Sequence, residues 1–358
     1  MPSGNQVPML PFRSGTRQRI RQIKSAQSIS ALGGATTFTL DRVGMLNYLV
    51  IVLRSTVTLS AGGAFATLGP WSMIDRVKVN LNLGNMTLVD MSGYTLYQFN
   101  KALFRAFAPD GGGNFTPASD TFAAGVASGA NSWVLPLIIP ISANPGSEFD
   151  TGLVNLQAPE VQVDVQVSLA AAGSTFVTNF SSIASTTVEL YQCYFDLPRP
   201  GAPVQLPLGQ IVRSVETTIP VTATGETNYT VERQGQLLQF ISTFIANGSR
   251  SNGLDRVKLI ANINDTIYDM PAVMNRIKYQ MDYSAPADTG IFYLDLWHAR
   301  ESPSSGDSRD LINTEVLTTL QWDPVVSSLT TLGSGNNSWI SGRRVLVNFA
   351  MPGIGPSI

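Results

Sequence analysis

Residues 75–91 read DRVKVNLNLGNMTLVDM, and residues 255–270 read DRVKLIANINDTIYDM. The second stretch begins 180 residues after the first and is one residue shorter, the gap falling in the turn. Val77, Val79 and Leu81 alternate with polar neighbours, and Val257 and Leu259 are likewise separated by Lys258. That is the period of a strand with one face on a core. Gly84-Asn85 supplies residues that tolerate positive φ, as a tight hairpin requires. After each stretch the period changes. Leu96, Phe99, Leu103, Phe104 and Phe107 recur on one helical face, with Ser92 as the N-cap. Pro271 opens a second helix at a position where its missing N–H costs nothing. A Trp-bearing apolar strand follows in both halves, with Trp133 in SWVLPLIIPI and Trp297 in IFYLDLWH. The order strand, hairpin, helix, loop, strand therefore occurs twice.

Working outward, period-2 and β-branched segments dominate the chain. The first half predicts strands over Ala35–Leu40, Leu46–Leu59, Val77–Leu83, Thr87–Asp90, Trp133–Ile141, Glu160–Leu169 and Thr186–Phe195. SAGG after Leu59 predicts a second tight hairpin. The Gly/Ala/Ser-rich stretch 110–131 predicts a long surface loop. Between the halves lies DLPRPGAPVQLPLG, whose prolines stiffen a short linker. Antiparallel strands in tandem with few helices indicate β-sandwiches, and eight-stranded sandwiches of two Greek keys are jelly rolls. The expected fold is all-β: two tandem eight-stranded jelly rolls with a short helix in each and a basic N-terminal arm. The boundaries are residues 1–33 for the arm, 34–197 for the first roll, 198–209 for the linker and 210–358 for the second roll.

Charge is sparse, with 13% of residues charged against roughly 25% in typical domains. Interface cores are depleted in charge, so much of the surface is expected to meet protein. The net charge of −2 excludes a bulk nucleic-acid binder, but its distribution is uneven. Arg13, Arg17, Arg19, Arg21 and Lys24 precede the first acidic residue, Asp41, so the arm carries +5 and the remainder −7. A helix through 15–27 would set Arg17, Arg21 and Lys24 on one face, suited to anionic headgroups or to genome phosphates. A solvated tail is the plainer reading. The apolar runs fall short of the ~20 residues of a membrane span, and the N-terminus lacks a secretory pattern, so a soluble protein of a reducing cytoplasm is expected.

Catalytic parts are scarce. His298 is the only histidine and ends a predicted strand; Cys193 is the only cysteine and lies in the tyrosine-rich strand ELYQCYF. Both are expected to be structural. There is no P-loop, no paired carboxylates and no cysteine zinc cluster, so neither enzyme activity nor a cofactor is expected. Asn-x-Ser/Thr sites at Asn114, Asn179 and Asn247 are expected by chance.

The stretches VGMLNYLVIVLRSTVTL, LGPWSMIDRVKVNLNLGNMTLVDMSGYTLYQFN and VELYQCYFDLPRPGAPVQLPLGQI, across residues 30–210, carry a family likeness. Here the chain resembles the double jelly-roll major capsid proteins of tailless, membrane-containing bacterial viruses, the tectivirus type, in the lineage of adenovirus hexon. The resemblance implies a homotrimer whose six rolls make a pseudo-hexagonal tile. Such tiles meet neighbouring capsid trimers, penton or vertex proteins and minor capsid proteins in an icosahedral virion capsid assembled in the host cytoplasm. The shell surrounds an internal lipid membrane, approached by the arm, and a DNA genome bound without sequence specificity. The alternative is a jelly-roll spike that binds a receptor or carbohydrate, and such a protein would carry an aromatic platform or metal site in its loops.

Overall fold

The computed structural model describes residues 15–82, 85–104, 107–109, 115–117, 126–143, 151–158, 160–197, 209–283, 287–297 and 311–348. Its first half runs β1 (Gln18–Gln22), β2 (Gln27–Ser28), β3 (Ala35–Thr39), β4 (Met45–Leu59), β5 (Ile74–Leu81), β6 (Met86–Met91) and α1 (Gly93–Phe104). Then come β7 (Phe107–Pro109), β8 (Phe115–Pro117), β9 (Gly129–Pro140), β10 (Val154–Asn155), β11 (Val163–Leu169) and β12 (Phe180–Phe195). The second half runs β13 (Gln210–Pro220), β14 (Gly225–Glu226), β15 (Tyr229–Thr230), β16 (Gln236–Ala246), β17 (Ser249–Arg250), β18 (Leu254–Ala261), β19 (Asp265–Pro271) and α2 (Ala272–Tyr283). It closes with β20 (Ile291–Asp295), β21 (Ile312–Asn313), β22 (Leu320–Trp322), β23 (Val325–Val326) and β24 (Ser338–Asn348).

Each half is a sandwich of two sheets. In the first roll, β12 lies between β4 and the interrupted edge β1–β2, and β9 flanks β4 on the far side. The facing sheet runs β3, β11, β5, β6. In the second roll, β24 lies between β13 and β16, and β20 flanks β16. Its facing sheet has β18 between β19 and the short strands β22 and β23, which β15 and β14 extend. Counting interrupted strands once, each roll is four strands against four among the described residues, with the β7–β8 pair apart. The repeated sequence makes the same hairpin in each: β5 and β18 share one burial pattern at all eight positions. Asn82 takes φ +53 to turn the first hairpin.

The helix α1 starts where Ser92 predicts, the Thr95 N–H donating to Ser92 Oγ at 3.2 Å. It ends at Phe104, and Phe107 belongs to β7 rather than to the helical stripe; Pro109 biases Ala108 toward extended backbone. Two other readings are corrected. SAGG makes no hairpin between β4 and β5; the chain after Leu59 crosses from one sheet to the other, as a Greek key requires. The segment after Gly15 is not helical. Gln18–Gln22 is extended and pairs antiparallel with β12, from Gln18 opposite Phe195 to Gln22 opposite Tyr191. A helix there would rest on two isoleucines, whereas the open edge of β12 satisfies its backbone groups outright. Within stretch 110–131, Phe115–Pro117 pairs with Phe107–Pro109; residues 110–114 and 118–125 lie outside the described residues. So do linker residues 198–208, Arg13 and His298.

Candidate functional site

The features that could do work lie where one roll meets another surface. Inside the chain that place is the seam between the rolls. The facing sheet of the first roll continues into the second through a short parallel pairing of β6 with β13, Ser214 opposite Val89 and Val215 opposite Asp90. Above it α1 lies on β24 and β16. Gly342 is the reason it can: a Cβ there would sit 2.4 Å from the Thr95 methyl and 2.8 Å from the Phe99 ring.

Polar groups lock this contact. The buried carboxylate of Asp288, in the second roll, accepts from the Gln98 amide at 3.1 Å and pairs with the buried Lys101 ammonium. Arg250 approaches it at 3.9 Å. Three donors around one carboxylate offset the cost of taking the charges out of water. Beside them, burial pushes the Tyr94 hydroxyl up to about 12. Glu216, on β13, serves the start of α1. It accepts from the Ser92 N–H at 2.9 Å and hydroxyl at 2.6 Å, and pairs with Arg76 at 2.9 Å. A carboxylate there also meets the positive end of the helix. At the other end of the seam the fully buried Arg344 donates to the carbonyls of Ser142 (2.5 Å) and Ala143 (3.1 Å) and to Gln239 (2.7 Å). Burial pulls its guanidinium down to about 10. Ala143, Val212, Leu238, Trp297 and Leu346 form an apolar cluster from both rolls beside it.

The sequence-predicted basic residues are placed differently from the helical reading. Arg17, Arg19 and Arg21 are exposed; Arg17 precedes the edge strand, and Arg19 and Arg21 alternate with Gln18, Ile20 and Gln22 along it, so those two share one side. Arg19 pairs with Asp196 at 2.7 Å and Arg21 with Asp41 at 3.3 Å. Lys24 is exposed beyond the strand. The signal for this was present: RQRIRQ alternates at period 2.

No family model and no curated protein matches this sequence. Solved structures do. The MCP of STIV, the Sulfolobus turreted icosahedral virus, superposes with a TM-score of 0.66 at 13% identity, over 93% of this chain and 97% of that one. The major capsid protein P2 from bacteriophage PM2 gives 0.56 at 11% identity, over 94% and 100%. The Faustovirus major capsid protein gives 0.59 at 10% identity, over 98% and 93%. The fold is the double jelly roll.

Elsewhere in the double jelly roll, Cys193 is buried opposite Ile20, and burial pushes its thiol up to about 11, away from nucleophile chemistry. Inside the second roll a recess of about 220 Å³ is lined by Tyr229, Phe240, Trp322, Glu232 and Arg343. Phe240 and Trp322 are buried, and Arg343 is held by the Glu232 carbonyl at 3.0 Å and by its carboxylate. The rings serve the roll's own core rather than an exposed platform. Among the described residues no three of His, Cys, Asp and Glu converge on a metal position, and no helix is long and apolar enough to cross a membrane.

Proposed function

We propose that this chain is the major capsid subunit of an icosahedral virion, assembling as homotrimers that tile a shell. The observation that carries the reading is a double jelly roll shared over more than nine-tenths of this chain and of capsid proteins such as P2. Sparse charge and a helix with a bare apolar side support it, because both fit a surface made to be covered. The role is structural, with no reaction catalysed. Neighbouring trimers, vertex and minor proteins would surround each tile, with an internal membrane and a DNA genome beneath. Residues Arg13, Arg17, Arg19, Arg21 and Lys24 would face inward; Asp196 and Asp41 neutralise two of the five charges and moderate any attraction to anionic headgroups.

Light scattering behind size exclusion tests the reading. The purified chain should run at three times its 38.5 kDa mass and stay so on dilution. A monomer at all concentrations that binds a glycan specifically would overturn it in favour of a spike module. Changing Arg17, Arg19, Arg21 and Lys24 together to Gln should keep the trimer but reduce its retention on vesicles rich in anionic lipid. Unchanged retention would remove the membrane from the arm's role.

A further inference from the structure

The interiors of the two rolls differ at one point. The helix asparagines align them: Asn100 of α1 makes a reciprocal amide pair with the Ile138 backbone, and Asn275 of α2 does so with Tyr293. Ile138 lies opposite Val50 and Tyr293 opposite Ile241, and the next strand adds Tyr191 and Gly342 to the same rows. In the facing sheets the repeat aligns Val79 with Leu259, which lie opposite Val165 and Trp322. On this register the recess of about 220 Å³ in the second roll has a counterpart in the first. There Ile23, Phe38, Leu49, Val165 and Leu190 close the space. The last four are fully buried, and Ile23 packs against the same core from the edge.

The second roll has Thr217, Tyr229, Phe240, Trp322 and Ser341 at those positions, in that order. Two aliphatic side chains are replaced by hydroxyls. Where the first roll buries the neutral Gln192, the second buries Arg343. A cation in a core is costly unless its donors are all matched. Those of Arg343 are not. Its terminal nitrogens donate to the Glu232 carbonyl, at 3.0 Å, and to the Glu232 carboxylate, but its Nε has no acceptor. Trp322, on the facing sheet, also has an indole N–H without an acceptor. The Ser341 hydroxyl is engaged with Ser242 at 2.7 Å. The wall is therefore short of acceptors.

Charge points the same way. Burial holds the Arg343 guanidinium below its ordinary range; Glu232 opposes that and Arg213 adds to it. Arg213 donates to two neutral oxygens, the Thr87 carbonyl and the Gln234 amide. Two cations thus stand near one carboxylate, which favours an anion. Thr217, Thr230 and Glu232 are exposed at the mouth, while Phe240 and Trp322 are buried with ring centroids 4.7 Å apart. An apolar cavity of ~150 Å³ takes up benzene, so this recess has room for one ring and a short polar arm.

We propose that the recess binds a small aryl carboxylate, with its ring against Phe240 and Trp322 and its carboxylate at Arg343. Glu232, whose side chain is 54% exposed, can yield Arg343 to the ligand without stranding its own charge. The ligand would tie one sheet of the roll to the other, because Arg343 and Phe240 belong to one and Trp322 and Tyr229 to the other.

Isothermal titration calorimetry of the full chain with phenylacetate, phenylacetamide and phenethylamine tests this. The three probes share a ring and a length and differ in charge. Phenylacetate should saturate one site per chain. The other two should bind at least about tenfold more weakly, the loss expected when a charge-assisted hydrogen bond is removed. Arg343→Gln should abolish the preference for the acid over the amide. Thr217→Ile with Ser341→Leu gives the second roll the side chains of the first; it should melt cooperatively and bind none of the probes. If that pair does not fold, Thr217→Phe replaces it. Equal affinity of the wild type for acid and amide would overturn the proposal, and so would the absence of saturable binding. Undiminished binding by a folded, filled variant would also overturn it, by placing the site elsewhere.

Discussion

Two helices stand at the same point of a repeated sequence, and one is swallowed while the other is bare. α1 follows β6 and α2 follows β19, each twelve residues long and each pinned by one asparagine to a later strand of its roll, β9 for α1 and β20 for α2. What differs is the second neighbour. For α1 the second roll lies against its far side, and the residues there are specific: Gln98 and Lys101 for Asp288, Thr95 for the notch at Gly342. On α2 the corresponding side has no such neighbour among the described residues and exposes Met274, Ile277 and Met281. The contact that is always made can use buried ions, whose geometry must be good to offset desolvation. A contact made only on assembly must leave the free subunit soluble and without stranded charge, which favours exposed apolar groups of moderate size.

The comparison can be broken from the α1 side first. Asp288→Ala leaves Lys101 buried without its partner and Gln98 without its acceptor, and should cost about 3–5 kcal/mol in urea unfolding. A cost below about 1 kcal/mol would mean that the rolls do not rely on this lock. Next, Gly342→Val drives a side chain into Thr95 and Phe99 and should cost about 1–3 kcal/mol. A triple variant with Thr95→Ala and Phe99→Leu should recover part of that loss, since the clash is local. If no recovery is seen, the helix does not seat on that notch.

A smaller effect separates the two copies of the repeat strand by pH. Asp323, whose N–H donates to the Lys258 carbonyl of β18, is buried, and burial raises its carboxyl to about 6 from 3.8. A raised carboxylate binds more protons in the folded state than in the unfolded one between these values. Its contribution to stability is therefore present below pH 3.8 and is lost as pH rises through about 6. Amide exchange in β18 should quicken relative to β5 across that window, after correction for intrinsic rates, and Asp323→Asn should flatten the difference. Equal trends in both strands would show that Asp323 does not set the pH response.

Much of this was readable before any coordinates. The hairpin of DRVKVNLNLGNMTLVDM, its echo, the cap at Ser92 and the core stripe of β4 all follow from local periodicity, which a strand or helix imposes on its own residues. The basic segment carries both helical spacing and period-2 spacing, and its own residues do not choose between them. Gln192, Cys193 and Tyr194 of β12, 170 or more residues away, supply the edge that decides between the two. The lock around Asp288 left no mark at all. Lys101, Arg250 and Asp288 are ordinary charges in sequence, and only the fold brings them within reach of each other.

By itself the sequence determined that there are two β-sandwiches of one design, because alternation, capping and repetition are properties of neighbours along the chain. Which surfaces are finished and which are open was decided by the tertiary structure alone. Residues 93–102 and 272–281 are both amphipathic to the eye. Whether the second side of each is core or surface depends on what a distant segment places against it, and backbone periodicity carries no record of that.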